Sequence, residues 1–290
     1  MKYGIYYAYW ESEWGGDFLP YIKKVKKLGF DILEVACGDF TQKDTAYFRE
    51  LKRVSEGEGI ILTGGYGPKP EHNLGSADNS IVNCAFNYWR DALHKMELAG
   101  IDRVGGALYS YWPVDYSKGI DKSADMQRSV ENMMLLADIA INHGVTLNME
   151  VLNRFEGYML NDCAEAIRYV KLVNKPNVKV MLDTFHMNIE EDSLTEAIRE
   201  AGSLLGHFHV GEANRKPPFA KGRICWENIG DALMDIGYEG YVVMEPFVKM
   251  GGQVGKDIFI WRDLSNGATE EDLDRSAADS LKYLRGLWES

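Results

Sequence analysis

Apolar positions recur along this chain with two periods. Short runs, alternating or continuously apolar, fall at Tyr3–Tyr7, Asp31–Ala36, Ile60–Gly64, Arg103–Leu108, Thr146–Val151, Lys179–Asp183, Gly206–Val210 and Tyr241–Glu245. Between them lie Phe18–Leu28, Asp44–Glu56, Ser80–Ala99, Ser123–His143, Cys163–Val173, Leu194–Ala201, Trp226–Ile236 and Glu270–Leu287. In these, apolar residues return at helical spacing, as at Ile22, Val25 and Leu28 or at Met133, Ala137 and Ala140. Strands that alternate strictly with helices must lie parallel, because each helix carries the chain back to the start of the next strand. Eight of each in 290 residues predict an α/β protein: a single (β/α)8 TIM barrel over residues 1–290. An open doubly wound sheet is the alternative, and no internal repeat or linker interrupts the pattern.

The connections are unequal. Helix-to-strand turns are tight and marked by Gly29, Gly59, Gly100, Gly144 and Gly237, whereas Tyr109–Asp121, Gly211–Cys225 and Val248–Thr269 are long strand-to-helix loops. In a barrel the long loops share the C-terminal face, where active sites form.

Four consecutive strands end on residues that carry chemistry: Glu150, Asp183, His209 and Glu245. Side chains alternate faces along a strand. Glu150 shares its face with Asn148 and Thr146, while Asp183 opposes Val180 and Leu182. His209 opposes Phe208 and Val210, and Glu245 opposes Val242 and Met244. Each candidate therefore points into the barrel mouth while its apolar neighbours face the helices, and adjacent strands stand only about 4.8 Å apart. A lone strand-end acid is ordinarily a helix cap or an ion-pair partner, and Ser193 with Glu196 fits such a cap just downstream. Four residues of one parity on successive strands instead predict a joint site. Three carboxylates away from water repel one another, and a divalent cation removes that conflict. Three oxygen donors and one imidazole, without thiolate, suit Mn²⁺ or Co²⁺, with Mg²⁺ as a third candidate, better than a structural Zn²⁺. Two oxygens of a hydroxy-ketone would complete the coordination, and Glu150 and Glu245 would each be placed to move a proton.

Other conspicuous residues have plainer readings. His207, one layer deeper than His209, is expected to be a packed or hydrogen-bonded core histidine, and His72, His94 and His143 are expected to be structural. Glu190, Glu191 and Asp192 read as favourable charge at a helix N-terminus. The GGYG stretch at Gly64–Gly67 reads as close backbone approach rather than a phosphate cradle. Tyr6, Trp14, Trp112 and Phe247, at or just after strand ends, read equally as core or as a sugar-facing wall.

Composition narrows the partners. The net charge of −12, with no basic run, argues against a nucleic-acid groove. No apolar stretch is long enough to span a membrane, and acidic residues interrupt the N-terminal region where a signal peptide needs an apolar run. Cys37, Cys84, Cys163 and Cys225 lack metal-knuckle spacing and fit free thiols in a reducing cytoplasm.

The stretches GIYYAYWE, GGALYSYWP, EVLNRFE, VKVMLDTFHMNIEEDS, GHFHVGEANRK and VVMEPFVKMGG closely resemble the ketose 3-epimerases, and among them those acting on D-psicose and D-tagatose. The likeness runs from Met1 to beyond Trp261. It implies a xylose-isomerase-like TIM barrel that binds Mn²⁺ or Co²⁺ and assembles as a homodimer or homotetramer. Carried over position by position, it implies Glu150, Asp183, His209 and Glu245 as metal ligands, with Glu150 and Glu245 as the acid/base pair. It also implies Glu156, His186 and Arg215 as substrate contacts, which the strand parity does not reach. The expected reaction interconverts D-fructose and D-psicose by moving a proton at C3 through a cis-enediolate. The segment Lys216–Lys221 (KPPFAK), Tyr66 and the Cys37-Gly38-Asp39 turn depart from the family pattern near the mouth.

Three other functions fit parts of the pattern. An aldose–ketose isomerase would commonly use a second metal, and only one full ligand set is visible. A zinc phosphodiesterase acting on DNA would want more inward histidines and a basic face. A non-catalytic sugar binder would not need two metal-bound glutamates.

Overall fold

The structure, a computed structural model, describes residues 1–289. Its strands are β1 (Lys2–Tyr6), β2 (Ile32–Ala36), β3 (Ile61–Gly65), β4 (Arg103–Gly106), β5 (Thr146–Glu150), β6 (Val178–Asp183), β7 (Leu205–Val210) and β8 (Tyr241–Met244). They pair in parallel in chain order, and β8 closes on β1 through the register Gly4–Val243. Helices α1 (Leu19–Leu28), α2 (Thr45–Glu58), α3 (Asn79–Ala99), α4 (Lys122–Asn142) and α5 (Cys163–Val173) follow the first five strands. After β6 come α6 (Thr184–Glu190) and α7 (Leu194–Ala201), after β7 comes α8 (Trp226–Asp235), and after β8 come α9 (Gly252–Asp257) and α10 (Glu270–Trp288). The closed barrel is the expected fold.

The core is the layer between strands and helices. Leu147 and Met149 on the outer face of β5 are fully buried, as are Met133, Leu136, Ala137 and Ala140 on the inner face of α4. Each large aliphatic side chain removed from water there contributes about 1.5–3 kcal/mol. Inside the barrel the filling is uneven. Any Cβ on Gly105 of β4 would collide with Met181, and one on Gly206 of β7 would collide with Asn148. The glycines of β4 and β7 thus make room for the bulk contributed by β5 and β6.

Three local features differ from the sequence pattern. The fourth strand, expected to reach Leu108, stops at Gly106, where φ is 130° and the Tyr66 carbonyl oxygen occupies the position of a side chain. The backbone of β4 turns away there, and only glycine fits. Directly after Asp183 comes the short helix α6, which the hydrophobic pattern does not mark. The loop after β8 contains a further short helix, α9. The Ser193 cap is present, its hydroxyl accepting from the Glu196 amide. No helix among the described residues is long and apolar enough to cross a membrane.

Candidate active site

Glu150 ends β5, Asp183 ends β6, His209 is the penultimate residue of β7, and Glu245 follows β8. One ligand atom from each lies within 4.8 Å of those of the others. The sheet register sets Asp183 directly beside His209 and pairs Glu150 with Met181. Strand parity therefore brings the four side chains together at the mouth.

Each is held by a local contact. Oδ1 of Asp183 accepts from the Phe185 amide at 2.6 Å and caps α6, while Oδ2 lies 3.8 Å from Nδ1 of His209. One carboxylate thus serves as both helix cap and site group. The Glu150 carbonyl accepts from the Tyr109 hydroxyl at 2.8 Å, fixing the strand end. His209 Nδ1 also lies 3.6 Å from Oε1 of Glu245 and has no hydrogen-bond partner, although the residue is buried. Its other nitrogen, Nε2, lies 2.6 Å from Oε1 of Glu34.

The electrostatics match a site built for a cation. Burial, with Glu245 next, pushes the Glu150 carboxyl well above the usual carboxylate range. Burial also raises Asp183, opposed by His186 and reinforced by Glu245. For His209 burial disfavours the charged form, but Glu34 and Glu245 outweigh it and move the imidazole well upward. Clustered acids raised by burial, beside a buried imidazole nitrogen that no hydrogen bond uses, fit one divalent ion. The oxygen-rich donor set favours a hard or borderline ion.

Above this group is a cavity of about 560 Å³, a common size for a small-molecule site. Glu156, His186 and Arg215, expected as substrate contacts, and Tyr6, Trp112 and Phe247, expected as core or sugar-facing wall, line it together with Glu150, His209 and Glu245. Asp183, only 1% exposed, is not part of the wall. Arg215 is buried with φ of 65°, a left-handed conformation that a non-glycine residue adopts only when its surroundings hold it. Its Nη2 reaches both oxygens of Glu156 at 3.0 and 3.1 Å, and the guanidinium lies 3.7 Å over the Phe185 ring. Burial alone would raise Glu156, but Arg215 holds its carboxyl below the usual value. The Asn153 amide donates to Nδ1 of His186 at 3.1 Å, so the neutral ring carries its hydrogen on Nε2, 3.8 Å from Oε1 of Glu150. Trp112, Trp14, Phe247 and Tyr6 meet edge to face, with centroids 5.9–6.1 Å apart, and the Arg215 guanidinium lies 5.3 Å over the Phe247 ring. Tyr6 and Phe247 are buried, Trp14 and Trp112 half-buried, and all four are part of the wall.

The remaining histidines separate clearly. His207 sits below the site, buried as expected, with Nε2 2.9 Å from Oε2 of Glu34 although neither ring nitrogen makes a hydrogen bond. His72 meets the Tyr66 hydroxyl, and His143 pairs with Glu97 on the outer surface. Glu190 and Glu191 do more than favour a helix start. Glu190 grips Arg154 through two nitrogens, fastening the loop after β5 to α6, and Glu191 accepts from the first amide of α5. No residue of Lys216–Lys221 lines the cavity; that loop is tied to α10 by the Ser280 hydroxyl donating to the Pro218 carbonyl. Gly38, Asp39 and Tyr66 do line it, so these departures from the family pattern face the mouth. Lys69, Gln253 and Asp257 at the rim carried no sequence signal. Glu34 was also missed; its signal was a single acid within the apolar strand ILEVA.

Residues 22–285 match the family described as xylose isomerase-like TIM barrel. The D-psicose 3-epimerase of Ruminiclostridium cellulolyticum is 54% identical over 289 residues, covering 100% of this chain and 98% of its own. This chain belongs to the ketose 3-epimerases. Its backbone matches a D-psicose 3-epimerase from Clostridium cellulolyticum H10, solved with D-tagatose, at a TM-score of 0.98 and 54% identity across 100% of both chains. A second D-psicose 3-epimerase, solved in the presence of D-fructose, matches at 0.98 and 50% identity, again across 100% of both. The ketose 3-epimerase assignment and the barrel fold agree with the expectations drawn from the motifs.

Proposed function

We propose that this chain is a metal-dependent ketose 3-epimerase that interconverts D-fructose and D-psicose, with Glu150 and Glu245 as its two proton-transfer groups. The observation that carries this reading is that both carboxylates meet at one cation-fitting cluster on the floor of a sugar-sized cavity. Full-length likeness to D-psicose 3-epimerases supports the sugar.

Glu150, Asp183, His209 and Glu245 would hold Mn²⁺ or Co²⁺, with Mg²⁺ as a third candidate. The bound ion supplies Lewis-acid polarisation of the ketone and offsets the negative charge that develops on O2 and O3. One glutamate removes the C3 proton, the electron pair moves into a C2–C3 enediolate, and the other glutamate delivers a proton to the opposite face. No atom is gained and no oxidant is needed. His186, through Nε2–H, donates to a sugar oxygen beside Glu150. Arg215 steadies Glu245 and Glu156 and presents the remainder of its guanidinium to the sugar. Tyr6, Trp112 and Phe247 cover the apolar face of the carbon chain and keep water away. Positioned acid–base groups contribute about 10²–10⁴-fold, so charge stabilisation at the enediolate carries much of the remaining acceleration.

The same reading places the enzyme in the cytoplasm, since all four cysteines are free, and in a homodimer or homotetramer. Phe155, Met250, Phe259 and Trp261 are more than half exposed on the loops after β5 and β8 and would be covered by a second copy. Light scattering distinguishes these states from a monomer.

The decisive experiment offers metal-stripped protein, resupplied with Mn²⁺ or Co²⁺, D-fructose and D-tagatose separately in D₂O, with products followed by NMR. Metal-dependent D-psicose carrying deuterium at C3 is expected. Aldose products would replace the epimerase reading by an isomerase, and faster conversion of D-tagatose would reassign the preferred sugar.

A further inference from the structure

Glu34 lies one layer below the four mouth residues, in the middle of β2 and only 1% exposed. Its Oε1 is 2.6 Å from Nε2 of His209, its Oε2 is 2.9 Å from Nε2 of His207, and Oε2 also accepts from the Thr63 hydroxyl at 2.8 Å. A carboxylate has no hydrogen to give, so a ring nitrogen that bonds to it must carry the hydrogen itself. For the neutral His209 ring, the form that can bind an ion, that places hydrogen on Nε2 and leaves the lone pair on Nδ1. Nδ1 is the atom that looks toward Asp183 and Glu245 without a hydrogen-bond partner.

We infer that Glu34 is the positioning residue of the metal centre: it fixes the ring orientation and tautomer of His209 so that a lone pair, not an N–H, faces the ion. The inference rests on reading the four mouth residues as a metal site. The Thr63 hydroxyl holds the other oxygen of the carboxylate, and the buried His207 ring packs beside it, which restrains it from rotating away from His209. Glu34 touches neither ion nor sugar, so its influence on the reaction passes through His209. Outer carboxylates of this kind typically set metal affinity by 10–100-fold. A buried acid present only for stability would influence unfolding and leave both the tautomer and ion affinity of the folded protein unchanged.

The test compares parent protein with Glu34→Gln and Thr63→Val. Glutamine keeps the size of glutamate, but its single carbonyl oxygen must serve the donors that two carboxylate oxygens now share. Its NH₂ then faces at least one imidazole. In metal-free parent labelled with ¹⁵N-histidine, at a pH high enough to leave His209 neutral, long-range ¹H–¹⁵N spectra should show its hydrogen on Nε2, the peaks being assigned by their loss in His209→Gln. In Glu34→Gln the Nδ1–H form should appear. Mn²⁺ titrations followed by electron paramagnetic resonance should show Kd weakened about 10–100-fold in Glu34→Gln and about threefold or less in Thr63→Val. Folding of each variant is checked by circular dichroism. A folded Glu34→Gln with the parental tautomer and Kd would overturn the inference, and so would the Nδ1–H tautomer of neutral His209 in the metal-free parent. The parental spectrum decides even if Glu34→Gln does not fold. Parent that takes up no Mn²⁺ would instead refute the metal reading, while the spectra still judge Glu34.

Discussion

Nη1 of Arg215 lies 3.2 Å from Oε2 of Glu245, while Nη2 of the same guanidinium spans both oxygens of Glu156. One buried cation therefore joins a proposed proton-transfer group to a proposed sugar contact. Truncating it strands Glu156 in the interior. Arg215→Met should lose about 3–5 kcal/mol of unfolding free energy, and adding Glu156→Gln should restore most of it. Catalytic efficiency should remain low in both variants, because neither restores the guanidinium beside Glu245. Urea denaturation and steady-state kinetics on the three proteins check both parts.

The two carboxylates also differ in their surroundings, and isotope exchange separates their roles. Glu150→Gln and Glu245→Gln should each nearly abolish epimerisation. With D-fructose in D₂O, loss of the group that takes the fructose proton should also abolish deuterium uptake at C3. Loss of the other group should leave deuterium entering D-fructose without D-psicose forming. Normal turnover in either variant rules out the two-base scheme.

Arg215 holds Glu156 below the ordinary carboxylate range despite burial. Its folded value thus lies below its unfolded one, near 4.3. The pair's contribution to stability is complete above about pH 4.3 and is lost as pH falls through the folded value. The gap in unfolding free energy between parent and Glu156→Gln should therefore be constant near neutrality and narrow below about pH 4. A gap that widens in acid would contradict the assignment.

Removing the ion should act in the opposite sense on Glu150 and Asp183, whose carboxyls are raised by burial and by each other's neighbours. Mn²⁺ binds the ionised forms, so apparent affinity should weaken as pH falls. Chelation should abolish activity and lower Tm. Readdition to about 100 times Kd should return roughly 2.7 kcal/mol of stability, readable by calorimetry. An unchanged Tm on readdition would argue against the four-residue site.

The mouth of the barrel was legible because period-two alternation projects directly onto inward and outward faces. Glu150, Asp183, His209 and Glu245 each break an apolar row at a strand end, and the fold turns that into convergence. Alternation says nothing about residues after a strand stops. Glu156, His186 and Arg215 sit on turns and a short helix, and only motif resemblance marked them. The seven residues of α6 are too few to display a helical stripe, and they begin directly at Asp183. The end of β4 was misplaced because Gly106-Ala107-Leu108 stays apolar while the backbone has already turned away beneath Tyr66. Glu34 broke its strand in the middle rather than at the end, so attention to strand ends passed over it.

Closure of β8 onto β1 has a consequence during synthesis. During synthesis β1 must wait for β8 before its free edge is satisfied, and Glu245 emerges later still. At about 5–20 residues per second, a nascent chain carries Glu150, Asp183 and His209 for some seconds as an incomplete set beside two open sheet edges. The packing of Trp288, whose indole N–H reaches the Trp226 carbonyl at 2.8 Å, comes later than Glu245 in chain order. The reactive centre and the seal of α10 over α8 are therefore acquired close together, and both only after β8 has been made.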